Sequence, residues 1–338
     1  MACVVTAVTW QDGAMIALLV PAALGLTLVT AAAPLAVYTV LLAGFGLAHV
    51  LSEFAYVDRR FGRRLGPGQI AACALLLLIA AGWRAAGVFH LIPAGQALVA
   101  ELATVVLLIL AVAAPAGPRS AGLALAAALP LGLATALAPF ETAVVLSIGH
   151  NFTPLGLLFD ALPRRRRVMG MTLALGGFIA LPLLVASGLP RALLGLGLEN
   201  FDPLATGGIA RHIHVYVPRG WQDGPSAMDL FAASVVAQAA HYVAVIGVLP
   251  RLLPGASRGL LPWPRPALFA AAVIAGSAVG VVGFLDDFAG ARGLYGIVAS
   301  VHAWIELPLL VLIAGGFQRS SRPAPTETRL AAKDSASA

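Results

Sequence analysis

The chain has 338 residues, of which 60% are hydrophobic and only 11% charged, with a mean hydropathy of +0.92. Soluble domains carry about 25% charged residues, and a chain this apolar would expose too much hydrocarbon to stay monomeric in water. The net charge of +6 comes almost wholly from Arg, Lys333 being the only lysine, and these charges lie in short segments between apolar runs, not on an aromatic-studded polar face, which argues against nucleic acid as a partner.

Long apolar runs predict ten membrane spans, at about 14–31, 34–57, 68–83, 95–114, 120–138, 139–162, 168–188, 226–249, 267–285 and 291–315. The expected fold class is therefore all-α, a polytopic bundle filling residues 1–318. Residues 189–225 are expected to form one long external loop, and 319–338 a disordered polar tail rich in Ser, Ala, Pro and Thr. Asp12, and no basic cluster, precedes the first run, so no cleaved signal is expected and internal spans would direct insertion. Cys3 and Cys73 are the only cysteines and imply no disulfide framework.

Charge then orients the bundle. With the N-terminus inside, sixteen basic residues fall on the cytoplasmic side, including Arg59–Arg60, Arg63–Arg64 and Arg164–Arg167. Five fall outside (Arg84, Arg191, Arg211, Arg219 and Arg292), which accounts for all 21. This bias predicts both termini in the cytoplasm. The abundance of Arg, Ala and Gly points to a GC-rich bacterial genome, hence to a bacterial inner membrane, with membrane lipids as partners.

Ionisable groups inside hydrocarbon cost roughly 2.5–3.5 kcal/mol on insertion scales and default to functional roles. The second span carries His49 and Glu53, the sixth His150 and Asn151, the eighth Gln238, His241 and Tyr242, and the tenth His302 and Glu306. All four spans run from outside to inside in this topology. His49/Glu53 and His302/Glu306 are i, i+4 pairs, which share a helix face. Such a pair can grip one metal, or the Glu can orient the His. Counting from the cytoplasmic ends, His49 and His241 lie roughly 12 Å deep, Glu306 roughly 13 Å, His150 and His302 roughly 18–19 Å and Glu53 roughly 6 Å.

These residues predict one metal site with His49, Glu53, His150, His241, His302 and Glu306 as its ligand set, and with Glu53, Glu306 and Tyr242 as candidate catalytic groups. Mixed imidazole and carboxylate suits iron first, then zinc or manganese, with haem ranked after them. The expected activity is iron-dependent oxidation of a lipophilic substrate (a lipid, an isoprenoid or a carotenoid-like hydrocarbon) drawn from the bilayer. The alternatives are a proton- or metal-ion-coupled transporter using the same residues and a zinc-dependent membrane hydrolase. The architecture resembles that of bacterial membrane carotene-cleaving oxygenases, in which His from several helices bind one iron. The likeness is of architecture, and none of their motifs is matched here.

Asn151 and Gln238 are expected to bridge backbone groups, and Glu101 and Glu141 to be solvated near the external ends of their spans. Outside the membrane, His212 and His214 alternate in sequence and would share a face if extended. With His90 they make a candidate second, external metal site.

Overall fold

A computed structural model describes residues 20–253 and 258–317 of the chain. Among these, nine helices are long and apolar enough to cross a membrane, and a shorter apolar helix, α1, covers Val20–Ala32. The remainder of the first expected span and the expected tail at 319–338 lie outside the described residues. The protein is an all-α polytopic helix bundle.

Proline punctuates it. Pro34, Pro67, Pro118, Pro139 and Pro266 each open a helix: α2 (Pro34–Val57), α3 (Pro67–Val88), α5 (Pro118–Leu137), α6 (Pro139–His150) and α13 (Pro266–Asp286). At a helix start the missing N–H is one that would have no partner anyway, and the fixed φ is already helical. Between them run α4 (Ala94–Ala113), α7 (Pro154–Ala161), α8 (Arg164–Leu175), α9 (Leu181–Ala186), α10 (Leu189–Leu194), α11 (Ile209–Tyr216), α12 (Ala227–Tyr242) and α14 (Phe288–Ala314).

The third span is longer than the sequence predicts, so Arg84 lies inside α3 and not in a loop. There it makes a two-pronged ion pair with Glu101 of α4 at 2.8–3.0 Å. Glu101 also accepts the indole N–H of Trp304 at 2.7 Å and is only 1% exposed. The expectation that Glu101 is solvated is thus overturned: its carboxylate is held by one cation and one indole, as a buried charge must be. Glu141 is solvated, 36% exposed and 3.5 Å from Arg219.

The 189–225 segment, in which no membrane-length helix occurs, carries secondary structure of its own. It holds α10, α11 and a short turn of 3₁₀ helix at Arg219–Trp221, and it packs on the bundle through Ile209, His212 and Val217. Asp202 organises its turn by accepting from the backbone of Thr206 and Gly208 and from the Thr206 hydroxyl.

Of the helices that carry the intramembrane His residues, α6 packs against α4, α5 and α11. α2 packs against α12, α13 and α14, and α14 also contacts α3, α4 and α7. Two of them are irregular at the His positions. α6 stops at His150 because Pro154 has no N–H for the His150 carbonyl, which instead accepts from the Thr153 N–H at 3.1 Å. α12 passes at Tyr242 into a π-helical stretch, Val243–Val248, a widening found often beside functional sites.

Candidate metal centre

Four helices deliver one imidazole each to a single point. The candidate ligand atoms of His49 (α2), His150 (α6), His241 (α12) and His302 (α14) all lie within 4.8 Å of one another. His302 Nε2 stands 3.1 Å from His49 Nε2 and 3.1 Å from His150 Nε2. His49, His241 and His302 are buried, and His150 is nearly so. The four His residues are positioned to bind a metal ion.

The donor chemistry fits that role. A neutral imidazole has one N–H and one lone pair, so three Nε2 atoms facing each other cannot all be matched by hydrogen bonds. Both ring nitrogens of His241 have no hydrogen-bond partner, although the residue is 0% exposed. Each such buried group costs about 1–3 kcal/mol if left unsatisfied. Nitrogens held at about 2.1 Å from one ion stand about 3.0–3.4 Å apart when adjacent and about 4.2 Å when opposite. The two 3.1 Å separations already match the first figure, and the 4.8 Å limit needs a contraction of only about half an ångström to reach the second.

The carboxylates take a different place from the one their spacing implies. Neither Glu is paired with the His on its own helix. Glu306 of α14 reaches across to α6, where its Oε2 accepts from His150 Nδ1 at 2.5 Å and from the Thr153 hydroxyl at 2.7 Å. With its proton held at Nδ1, His150 presents the Nε2 lone pair to the cluster, the usual carboxylate–histidine arrangement behind a metal ligand. Glu53 of α2 likewise faces His241 of α12, 3.4 Å from its Nε2. Sharing a helix face does not decide which neighbouring helix that face meets, and here each carboxylate meets another helix's His.

Tyr242 stacks on His49, with ring centroids 4.1 Å apart and planes 21° from parallel. Its hydroxyl accepts from Gln238 at 2.9 Å, so Gln238 serves a side chain and not the backbone bridge expected of it. Asn151 does bond to backbone, donating to the Ser147 carbonyl at 3.3 Å.

A cavity of about 420 Å³ opens on the cluster, within the roughly 300–1,000 Å³ range of ligand pockets. His49, His150 and His302 line one end, and Tyr38, Tyr216 and Arg292 line the other, beside the 189–225 segment. Tyr295, Arg292, Tyr38, Tyr216 and Thr153 have no part in the sequence-based site. On α14 a signal was present: Arg292, Tyr295, Ala299, His302 and Glu306 recur at spacings of three and four and form one face. Gly46 makes room for this face, since a Cβ there would come within 3.0 Å of the Tyr295 ring.

The second, external metal site does not form. α11 is helical, so His212 and His214, two positions apart, point to nearly opposite sides. His212 is buried against Tyr38, Phe231 and Phe288 and hydrogen-bonded to Thr206 at 2.9 Å. His214 bonds the Ala210 carbonyl, and exposed His90 joins no His or acidic group. Burial is the main force that lowers the His212 pKa to about 4, with Arg292 and Arg211 adding to it.

No family model, curated protein or solved structure matches this chain.

Proposed function

We propose that the chain is an integral-membrane metalloenzyme that binds iron at His49, His150, His241 and His302 and oxidises a lipophilic substrate with dioxygen. The observation that carries this reading is the junction of the four-His cluster with the 420 Å³ cavity, which His49, His150 and His302 help to line. A structural ion would sit in closed packing, whereas a reacting one needs an open side. Iron suits four imidazoles because it accepts higher coordination numbers and leaves positions for reactants; iron, when bound, would supply the dioxygen chemistry.

The chain's own residues do the rest. Glu306 fixes the tautomer of His150, and Thr153 fixes Glu306. Glu53 stands behind His241, and Tyr242 holds the His49 plane by stacking. In this reading the two Glu are orienting groups and not ligands. Haem fits poorly, because four rings crowded within 4.8 Å leave no slot for a porphyrin. Transport through the same residues expects protonatable groups spaced along a path, and these converge on one point. The Arg bias supports a bacterial inner membrane with both termini in the cytoplasm.

The test loads metal-free protein in lipid nanodiscs with iron(II), zinc(II) or manganese(II) and follows oxygen uptake after a membrane isoprenoid extract is added. Uptake with iron, abolished in His302→Ala, is the expected result. Hydrolysis with zinc and no uptake with iron would overturn the oxidative reading in favour of a hydrolase.

A further inference from the structure

The cavity is more polar than a pure hydrocarbon requires. Its wall carries Tyr38, Tyr216, Tyr242 and Tyr295, with Gln238 and Asn151 among the remaining polar groups. It also carries two guanidinium groups, and they differ in one respect. Arg84 is neutralised by Glu101. Arg292 is half-buried with its guanidinium 5.5 Å from the Tyr216 ring centroid, and among the described residues no carboxylate lies within 4.0 Å of it. The Tyr38 and Tyr216 hydroxyls beside it are bonded to each other at 2.9 Å. A guanidinium held in a low-dielectric wall without an anion is costly, and Arg is the side chain best shaped to grip a carboxylate or phosphate with two parallel hydrogen bonds.

Arg292 and His302 lie on the same face of α14, ten residues and therefore about 15 Å apart along the axis. The cavity joins them. The geometry points to an anionic amphiphile as the substrate: its charged group is held by Arg292, Tyr38 and Tyr216 at the mouth, and its chain runs inward to present a carbon about 15 Å away to the four-His site. This rests on the proposed metalloenzyme reading for the chemistry, though not for the binding. The Arg292 end of the cavity lies beside Val215 and Tyr216 of the 189–225 segment, where the head of a membrane amphiphile would meet water while its tail stays in the bundle.

Binding can be read without turnover. The probe is parinaric acid, a fluorescent long-chain polyene carboxylate, compared with its methyl ester. Both are titrated into protein in zwitterionic nanodiscs, with empty nanodiscs subtracted. The wild type should bind the acid about tenfold more tightly than the ester. Arg292→Gln should abolish that preference, and Arg292→Lys, which keeps the charge and guards against a mere packing defect, should retain much of it. Gly296 lines the cavity, and a Cβ there meets nothing within 4 Å, so Gly296→Phe should fill the cavity and remove binding of both probes. Equal affinity for acid and ester, a preference that survives Arg292→Gln, or binding that survives Gly296→Phe would each overturn the proposal. Metal analysis of the same samples separates the two readings. Wild type that discriminates acid from ester yet takes up no metal when iron(II), zinc(II) or manganese(II) is added would sink the metalloenzyme and leave the anion site standing.

Discussion

Glu306→Gln isolates the part of the site that spacing did not reveal. The substitution keeps the shape of the side chain but removes the charge that accepts from His150 Nδ1 at 2.5 Å and Thr153 at 2.7 Å. Loss of a carboxylate partner behind a metal-bound His typically lowers metal affinity 10–100-fold, or about 1.4–2.8 kcal/mol. A hydrogen bond to a charged group is independently worth about 1.5–3 kcal/mol, so the two routes agree. Thr153→Val removes one neutral donor, about 0.5–1.5 kcal/mol, and should weaken affinity by no more than roughly tenfold. His302→Ala removes the imidazole that faces two others at 3.1 Å and should be worst of the three. Affinity is measured by competition with a chromogenic chelator in detergent, beside thermal unfolding with and without metal. At free metal a thousandfold above Kd the folded state gains about 4.1 kcal/mol, and a hundredfold weaker site retains about 1.4 kcal/mol of it, so the melting shift should shrink in the same order. Wild-type affinity in Glu306→Gln, or a larger loss in Thr153→Val, would refute the carboxylate–histidine assignment.

Gly296→Phe should abolish turnover while metal content stays at the wild-type level, because the ring enters the cavity wall and not the cluster; joint loss of both would mean that the cavity and the site are not separable. His212→Ala with His214→Ala should leave bound metal unchanged, and metal loss would move the centre to the outer segment. His212 has a pKa lowered to about 4, so the unfolded segment binds a proton that the folded one resists. Packing of the 189–225 segment should be intact above about pH 6.5 and weaken as pH falls from there toward 4, read as faster proteolysis within that segment; His212→Gln should flatten the trend, and an unchanged pH trend in that variant would remove His212 as its cause. Reporter fusions at residues 166 and 338 should read cytoplasmic and one after 215 external, and an external reading at 166 would reverse the orientation.

Much of the architecture was legible because hydrocarbon imposes a length on every apolar run, and because Pro34, Pro67, Pro118, Pro139 and Pro266 mark helix starts. The four His residues stood out for the same reason: an imidazole in an apolar span demands a partner. Depth counted from loop ends spread them over about 12–19 Å, yet all four meet at one point. Pairing was not legible. An i, i+4 spacing names the residues on a face but not the helix that face touches, so Glu306 was grouped with His302 and is in fact bonded to His150. The burial of Glu101 is not legible because the apolar run at 68–83 ends just before Arg84, which α3 in fact contains. Around His212, alternation suggested an extended strand, whereas Ile209, His212 and Tyr216 recur at helical spacing and turn one face of α11 inward.

The central claim, one metal held by four imidazoles, is tested most directly by elemental analysis of the purified protein beside the single variants His49→Ala, His150→Ala, His241→Ala and His302→Ala, with absorption spectra to detect haem. The account predicts about one equivalent of a haem-free metal, iron, in the wild type and a marked loss in each of the four variants. A wild type without metal, or variants that each keep the full equivalent, would contradict it.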